Sequence, residues 1–153
     1  MLIGSFRMVT WMKCCDMTTQ FDIIQKKVWD LALRIDAPMS LTAVFFSSPQ
    51  NGKPHVEIHG DEFHYVFAER GTVFGVDKTH NLNTLLYWIF SSITSQMAQE
   101  YALHHRKYGQ DTRRILFARQ LDLMAKLSEH WHVKLQKEIS TTLEKNPYVD
   151  MRG

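Results

Sequence analysis

Apolar residues near the start of the chain recur every three or four positions, the spacing of one face of an α-helix. This spacing predicts a helix from about Thr19 to Ile35, and Pro38 and Ser40 end the pattern. The apolar run Leu41–Ser47 that follows is a candidate strand, because a cluster of turn-forming residues comes directly after it.

Residues 55–76 follow a different pattern, in which apolar and polar positions alternate as in strands with one buried face. We predict three strands, at His55–His59, Glu62–Glu69 and Thr72–Val76. Gly60-Asp61 and Arg70-Gly71 suit two-residue hairpin turns between them.

These turns also fix the expected strand register. His59 pairs with Glu62 across the first turn, and Glu69 pairs with Thr72 across the second. The large apolar side chains then share one face, which we expect to be buried: Val56, Ile58, Phe63, Tyr65, Phe67, Phe74 and Val76.

Helical spacing returns after residue 80 and predicts three more helices. The first begins at a cap formed by Asn81 or Asn83 and extends to about Lys107. Asp111 and Ser128 are the expected caps of the other two, and Asn146-Pro147 ends the last one.

One helix, a small antiparallel meander and three C-terminal helices make an α+β fold. The meander has three strands, or four if Leu41–Ser47 joins it. We expect residues 18–150 to form a single domain, preceded by a weakly specified arm over residues 1–17.

Composition agrees with an ordinary globular domain, since 44% of the 153 residues are hydrophobic and 22% are charged. The formal charge of +2 does not favour nucleic acid or a membrane surface as the partner. No apolar run is long enough to span a bilayer. Cys14 and Cys15 are adjacent, which fits a reducing compartment rather than a disulfide framework. We therefore expect a soluble, cytoplasmic protein.

Eight histidines raise the question of a metal site. His55, His59 and His64 share the predicted polar face of the meander with Glu57 and Glu62. No fixed ligand spacing such as His-Glu-x-x-His occurs, so we interpret them as polar residues of a solvated face. The chain also lacks a Gly-x-Ser-x-Gly elbow, a P-loop and a glycine-rich dinucleotide turn. We expect no metal site, no cofactor and no catalytic residue.

Glu69 is the first candidate for a functional role. Strand alternation puts it on the predicted core-facing side, where an unpaired carboxylate would be costly. We therefore expect an arginine partner for it, namely Arg113, Arg114 or Arg106.

The second candidate is the segment of residues 104–114, here called the elbow, which joins two predicted helices. It contains four basic residues (Arg106, Lys107, Arg113 and Arg114) and one acid, Asp111. Such a segment is a solvated helix junction, a surface for an acidic partner, or the source of the cation beside Glu69.

Several of these stretches occur in an order that resembles a known family. They are Phe63-His64-Tyr65, Glu69-Arg70-Gly71, Leu85 to Phe90, Arg106 to Arg114, and Leu121 to Trp131. Together they resemble a family of bacterial polymorphic-toxin immunity proteins, immunity protein family sixty-three, over about residues 55–145. Those proteins are α+β domains marked by a Glu-Arg pair and a tryptophan, which correspond here to Glu69, Arg70 and Trp88.

The resemblance implies a non-catalytic inhibitor that binds and neutralises a cognate toxin domain encoded nearby. The residues we expect to contact the toxin or support the motif are Glu69, Arg70, Tyr65, Trp88, Arg106, Asp111, Arg113 and Arg114. Two alternatives stay open. One is a small enzyme that uses Glu69, Arg70 and an elbow histidine such as His104, and the other is a nucleic-acid or ligand-binding module that uses the basic elbow.

Overall fold

The structure, a computed structural model, describes residues 19–152. The arm predicted over residues 1–17, with Cys14 and Cys15, lies outside the described residues. The elements in chain order are α1 (residues 19–33), α2 (Met39–Thr42), β1 (His55–His59), β2 (Glu62–Glu69), β3 (Thr72–Thr79), α3 (Leu82–His104), α4 (Arg113–Leu127) and α5 (Glu129–Lys145). This order confirms the predicted α+β fold.

The described residues group into two compact units. Residues 19–30 and 42–86 form the first, which contains a three-stranded antiparallel sheet in the order β1-β2-β3. Residues 31–41 and 87–152 form the second, which is helical.

The strand predicted at Leu41–Ser47 is wrong. Residues 39–42 form the short helix α2, and residues 43–47 have no regular structure. The Gln25 side chain of α1 takes up backbone groups that a strand would use, because its Nε2 donates to Thr42 O and its Oε1 accepts from Val44 N, each at 2.9 Å. Apolar composition alone did not reveal this side-chain competitor.

The first hairpin has the predicted register. His59 pairs with Glu62, Glu57 with His64, and Val56 with Tyr65. Gly60 adopts a φ of +66°, the left-handed conformation that a turn with glycine at its first position needs.

The second hairpin departs from the predicted register after one residue pair. Glu69 pairs with Thr72 as expected, but Ala68 pairs with Val73 and Phe67 with Gly75, so Phe74 is an extra residue on β3. This β-bulge shifts all later pairs, and Val76 lies opposite Val66 instead of Tyr65.

The bulge changes which side chains are buried. Val56 and Tyr65 are in the core, at 1% and 6% exposure, but the predicted burial of the β3 residues and of Phe67 is wrong. The other face of the sheet is partly covered as well, because His55 is only 5% exposed and Val66 only 3%. The expectation of one fully buried and one fully solvated face is therefore corrected for this sheet.

The helical unit is built around Trp131 of α5, which is 3% exposed. Its ring stacks on Phe90 of α3 at 5.9 Å and meets the ring of Tyr87 edge-on at 6.1 Å. A buried polar contact joins α3 to α4, where Gln120 Nε2 donates to Thr94 Oγ1 at 3.3 Å and to Ser91 O at 3.2 Å. Apolar packing and this contact together hold the three helices.

The predicted helix boundaries in this part of the chain are largely confirmed. Asn81 Oδ1 accepts a hydrogen bond from Asn83 N at 2.8 Å, and Ser128 Oγ accepts one from Trp131 N at 3.4 Å. Gly109 has a φ of +77° between α3 and α4. Helix α3 ends at His104, three residues before the predicted end at Lys107.

Candidate functional site

Strand β3 lies at the edge of the sheet and carries exposed apolar side chains. Among the described residues it has a strand neighbour on one side only. Val73 is 57% exposed, Phe74 71% and Val76 40%. Val73 and Val76 pair with Ala68 and Val66, whereas Phe67 of β2, 38% exposed, points to the opposite face of the sheet, so the edge presents apolar side chains on both faces. We call these four residues the edge patch. An exposed apolar edge strand offers both backbone hydrogen-bonding groups and apolar contacts to another chain.

The turn at one end of the edge patch holds Glu69 and Arg70, and both residues are exposed. Arg70 and Gly71 have φ angles of +50° and +79°, which match a tight hairpin turn with both central residues left-handed. The prediction that Glu69 faces the core is wrong, because the apolar face is already open to solvent at Phe67. The desolvation penalty that called for an arginine partner therefore does not arise.

Tyr65 and Trp88 are placed deeper in the structure. Tyr65 is 6% exposed, and its ring meets that of Phe67 edge-on at 5.1 Å. It therefore supports Phe67, a member of the edge patch, from beneath. Trp88 is half-buried on α3.

The elbow is organised by Asp111 and Arg113. The Arg113 Nη2 and Nε groups donate to the Asp111 carboxylate at 2.8 and 3.2 Å, and the backbone N–H of Val149 donates to it at 2.9 Å. Arg113 also donates to Asn146 O and Pro147 O, at 2.9 and 2.8 Å. The Arg113 guanidinium and these backbone N–H donors hold the pKa of Asp111 well below its usual range.

Arg114 makes a second set of contacts with the same C-terminal segment. Its Nη2 donates to Asp150 Oδ2 at 2.7 Å, and its guanidinium lies 4.2 Å from the centre of the Tyr148 ring. Two hydrogen bonds lower the pKa of Asp150. The larger effect comes from the Arg114 guanidinium and the smaller from the backbone N–H of Asp111. Two of the three arginines predicted as partners of Glu69, Arg113 and Arg114, are thus engaged by Asp111 and Asp150.

These contacts change the interpretation of the basic elbow. Two of its four cations, Arg113 and Arg114, are neutralised by carboxylates within the fold. Arg106 and Lys107 remain exposed. A nucleic-acid surface depends on several free cations that track the phosphates, so this arrangement weakens that alternative.

Comparison with known proteins assigns the family. A family model described as Immunity protein 63 matches residues 60–141, more than half of the chain. The chain belongs to the Immunity protein 63 family. Membership in an immunity protein family implies a toxin as the partner and points to an inhibitor rather than an enzyme. No curated protein and no solved structure gives a significant match.

The region matched by Immunity protein 63 begins at the turn between β1 and β2 and ends inside α5. It includes the Glu-Arg pair, Trp88, the edge strand β3 and the whole elbow. Strand β1 and the C-terminal segment that holds the elbow lie outside it. Within residues 19–152, no helix has the length and apolar character needed to cross a membrane.

Sequence reasoning missed the segment after α5, although it completes the elbow of this Immunity protein 63 family member. Tyr148 and Asp150 follow the helix stop at Asn146-Pro147, and they contact residues more than thirty positions earlier. An aromatic residue and an acidic residue that follow the end of a helix, as Tyr148 and Asp150 do, could have indicated a contact with a basic residue elsewhere in the chain. The signal does not name the partner, because each of the three arginines of the elbow fits it equally well.

Proposed function

We propose that this chain binds the toxin domain encoded beside its gene and neutralises that toxin by occupying it, without catalysing a reaction. The observation that carries the proposal is the Immunity protein 63 match over residues 60–141. A neutralising protein of this type needs a stable fold and one surface complementary to its partner, and it needs no cofactor. The cytoplasm of the producing cell is where such protection would act.

We further propose that the toxin contacts the edge patch and the neighbouring turn of Glu69 and Arg70. Monomeric proteins rarely leave several large apolar side chains exposed along an edge strand, because such strands pair with other chains. Phe74 is the most exposed member at 71%, and large aromatic side chains and arginines are the types that contribute most to binding energy. Phe74 and Arg70 are therefore our candidates for the main contacts.

The remaining candidate residues receive different proposed roles. Tyr65 supports the patch from the core, and Asp111, Arg113 and Arg114 fix the shape of the elbow. Exposed Arg106 is available for contact with the toxin. Trp88 corresponds to the tryptophan characteristic of the family, and we propose that it supports α3.

The apolar character of the edge patch leads to an expectation about salt. Long-range charge steering weakens steeply as salt rises, whereas apolar burial does not. Since the formal charge of the chain is only +2, we expect its affinity for the toxin to change little between low and physiological salt.

Co-expression tests the proposal. Cells that produce the neighbouring toxin domain should grow when this chain is co-expressed, and the two proteins should co-elute from a sizing column as a stable complex. Growth rescue without a complex, accompanied by turnover of the toxin or of its product, would instead support the small-enzyme alternative with Glu69, Arg70 and His104. Failure to rescue growth at all would contradict the proposal.

A further inference from the structure

The β1–β2 hairpin gathers imidazole and carboxylate groups on one face of the sheet. Glu57 lies directly opposite His64 in the strand register, and His59 is two positions from Glu57 on the same strand. Residues spaced by two on a strand, and residues opposite each other on paired strands, point to the same side. One ligand atom from each of these three residues lies within 4.8 Å of the others.

The three side chains of this cluster are in direct contact with one another, through a hydrogen bond and a ring stack. His59 Nε2 lies 2.8 Å from Glu57 Oε2, and the rings of His59 and His64 are 4.1 Å apart. Two ligand atoms on a tetrahedral zinc ion at its usual bond lengths are about 3.3 Å apart. An ion at this site would therefore replace the His59–Glu57 hydrogen bond, and the side chains would rotate so that their three ligand atoms converge on it.

The residues around the cluster hold two of its members in place. The His55 side chain is 6% exposed, and its Nε2 lies 3.0 Å from the second carboxylate oxygen of Glu57. The His55 Nδ1 atom is buried and has no hydrogen-bond partner among the described residues, so Glu57 is the side chain that bonds to this ring. Glu62 Oε1 lies 2.6 Å from His64 Nε2. Metal ligands are commonly oriented by such outer contacts.

The local charge favours a cation. Asp61 in the turn adds a third carboxylate to those of Glu57 and Glu62. On the other side of β2, Lys78 of β3 lies opposite His64, and His80, just after β3, contacts Asp61 and Glu62. Three carboxylates thus face one permanent cation when the histidines are neutral.

We infer that Glu57, His59 and His64 form a binding site for a divalent transition-metal ion, with Zn²⁺ as the best fit. Two imidazoles and one carboxylate match the ligands that zinc takes, whereas Mg²⁺ and Ca²⁺ prefer all-oxygen sites. The Glu57 and His59 side chains are 42% and 54% exposed and line an open cleft of about 530 Å³, so an ion can enter from solvent and keep a water ligand. Bound metal would join β1 to β2 and stabilise the first hairpin by mass action.

The test uses the full chain without an affinity tag, in a background where Cys14 and Cys15 are changed to serine, because thiols also bind zinc. Calorimetric titration with Zn²⁺ at pH 7.5 should show one site, and Zn²⁺ should raise the melting temperature. Co²⁺ should give the visible absorption bands of a low-symmetry, four-coordinate site.

His59→Gln removes an exposed ligand and should leave the fold intact, and His64→Gln provides a second, independent variant. Each should weaken Zn²⁺ binding by about 10-fold or more and remove the Zn²⁺-dependent rise in melting temperature. The matched control is His130→Gln, an exposed histidine of α5, which should bind zinc like the parent. Absence of zinc binding, equal binding by the parent and both variants, or equal binding of Mg²⁺ would overturn the inference.

Discussion

Asp111 and Arg113 form an ion pair with the shortest contact at 2.8 Å, and each partner also binds the segment that follows α5. The carboxylate accepts the backbone N–H of Val149, and the guanidinium donates to the carbonyl oxygens of Asn146 and Pro147. The pair therefore fastens the C-terminal segment to the start of α4. This explains why a cationic stretch occurs at a helix junction without requiring a charged ligand.

We expect Asp111→Asn to lower the free energy of unfolding at pH 7. Because folding lowers the pKa of this carboxyl, its stabilising effect is complete above the unfolded-state value of about 3.9 and is lost as the pH falls further. The difference between wild type and variant should therefore shrink below about pH 4. Urea unfolding at pH 7 and pH 3 measures it, with the exposed Asp122→Asn as control. Equal stabilities at pH 7 would contradict a structural role for the pair.

Gln120 provides a second test of the helical unit. Gln120→Ala removes the buried amide that bridges α4 to Thr94 and Ser91 of α3, and we expect a loss of about 1–3 kcal/mol. Gln136→Ala, at an exposed position of α5, should cost much less. Denaturant unfolding of the two variants compares them directly, and equal losses would show that the bridge does not matter.

Trp131→Ala should be the most destabilising of these substitutions. It empties the space between Tyr87 and Phe90, and loss of a buried aromatic side chain costs about 3–5 kcal/mol. Val133→Ala on the same helix, at a position 40% exposed, is the control and should have a small effect. Thermal melting is sufficient to separate the two, and a similar melting temperature for both would refute the described core.

Glu69→Ala should leave the unfolding free energy within about 0.5 kcal/mol of wild type, since the side chain is exposed. If the turn contacts the toxin as we propose, the same variant should bind the toxin domain more weakly. Melting curves and binding titrations on one preparation separate the two effects. A large fall in melting temperature would show that Glu69 has a structural partner after all.

The sequence predicts one hairpin of this sheet better than the other, and the reason is physical. Around Gly60 the turn length and the alternation both favour the observed register. On β3, Gly75 is a local signal for the bulge at Phe74, but it does not fix the register, because Val73, Phe74 and Val76 are all good strand formers in either register. The prediction of a buried β3 face failed for that reason, and the exposed edge patch became visible only in the structure.

The sequence also does not predict contacts between residues that are far apart along the chain. The sequence singles out Glu69, Arg70, Trp88 and Asp111 as candidates, but it does not predict what these residues contact. Gln25 competes for the backbone of residues 42–44, and Asp150 binds Arg114 across 36 positions. Such contacts depend on how the chain folds back, which local patterns do not encode.

The central claim, that the edge patch of this family member binds the toxin, is tested most directly by the affinity of Phe74→Asp for the neighbouring toxin domain. A charge at this position should be tolerated by the fold, because the side chain is 71% exposed, but it should not be tolerated in an apolar interface. The control is Leu33→Asp at an exposed position of α1, 78% exposed. We predict that Phe74→Asp weakens toxin binding by about 30-fold or more, as for a residue worth 2 kcal/mol, with an unchanged melting temperature, while Leu33→Asp binds like wild type. Wild-type affinity in Phe74→Asp would contradict the claim.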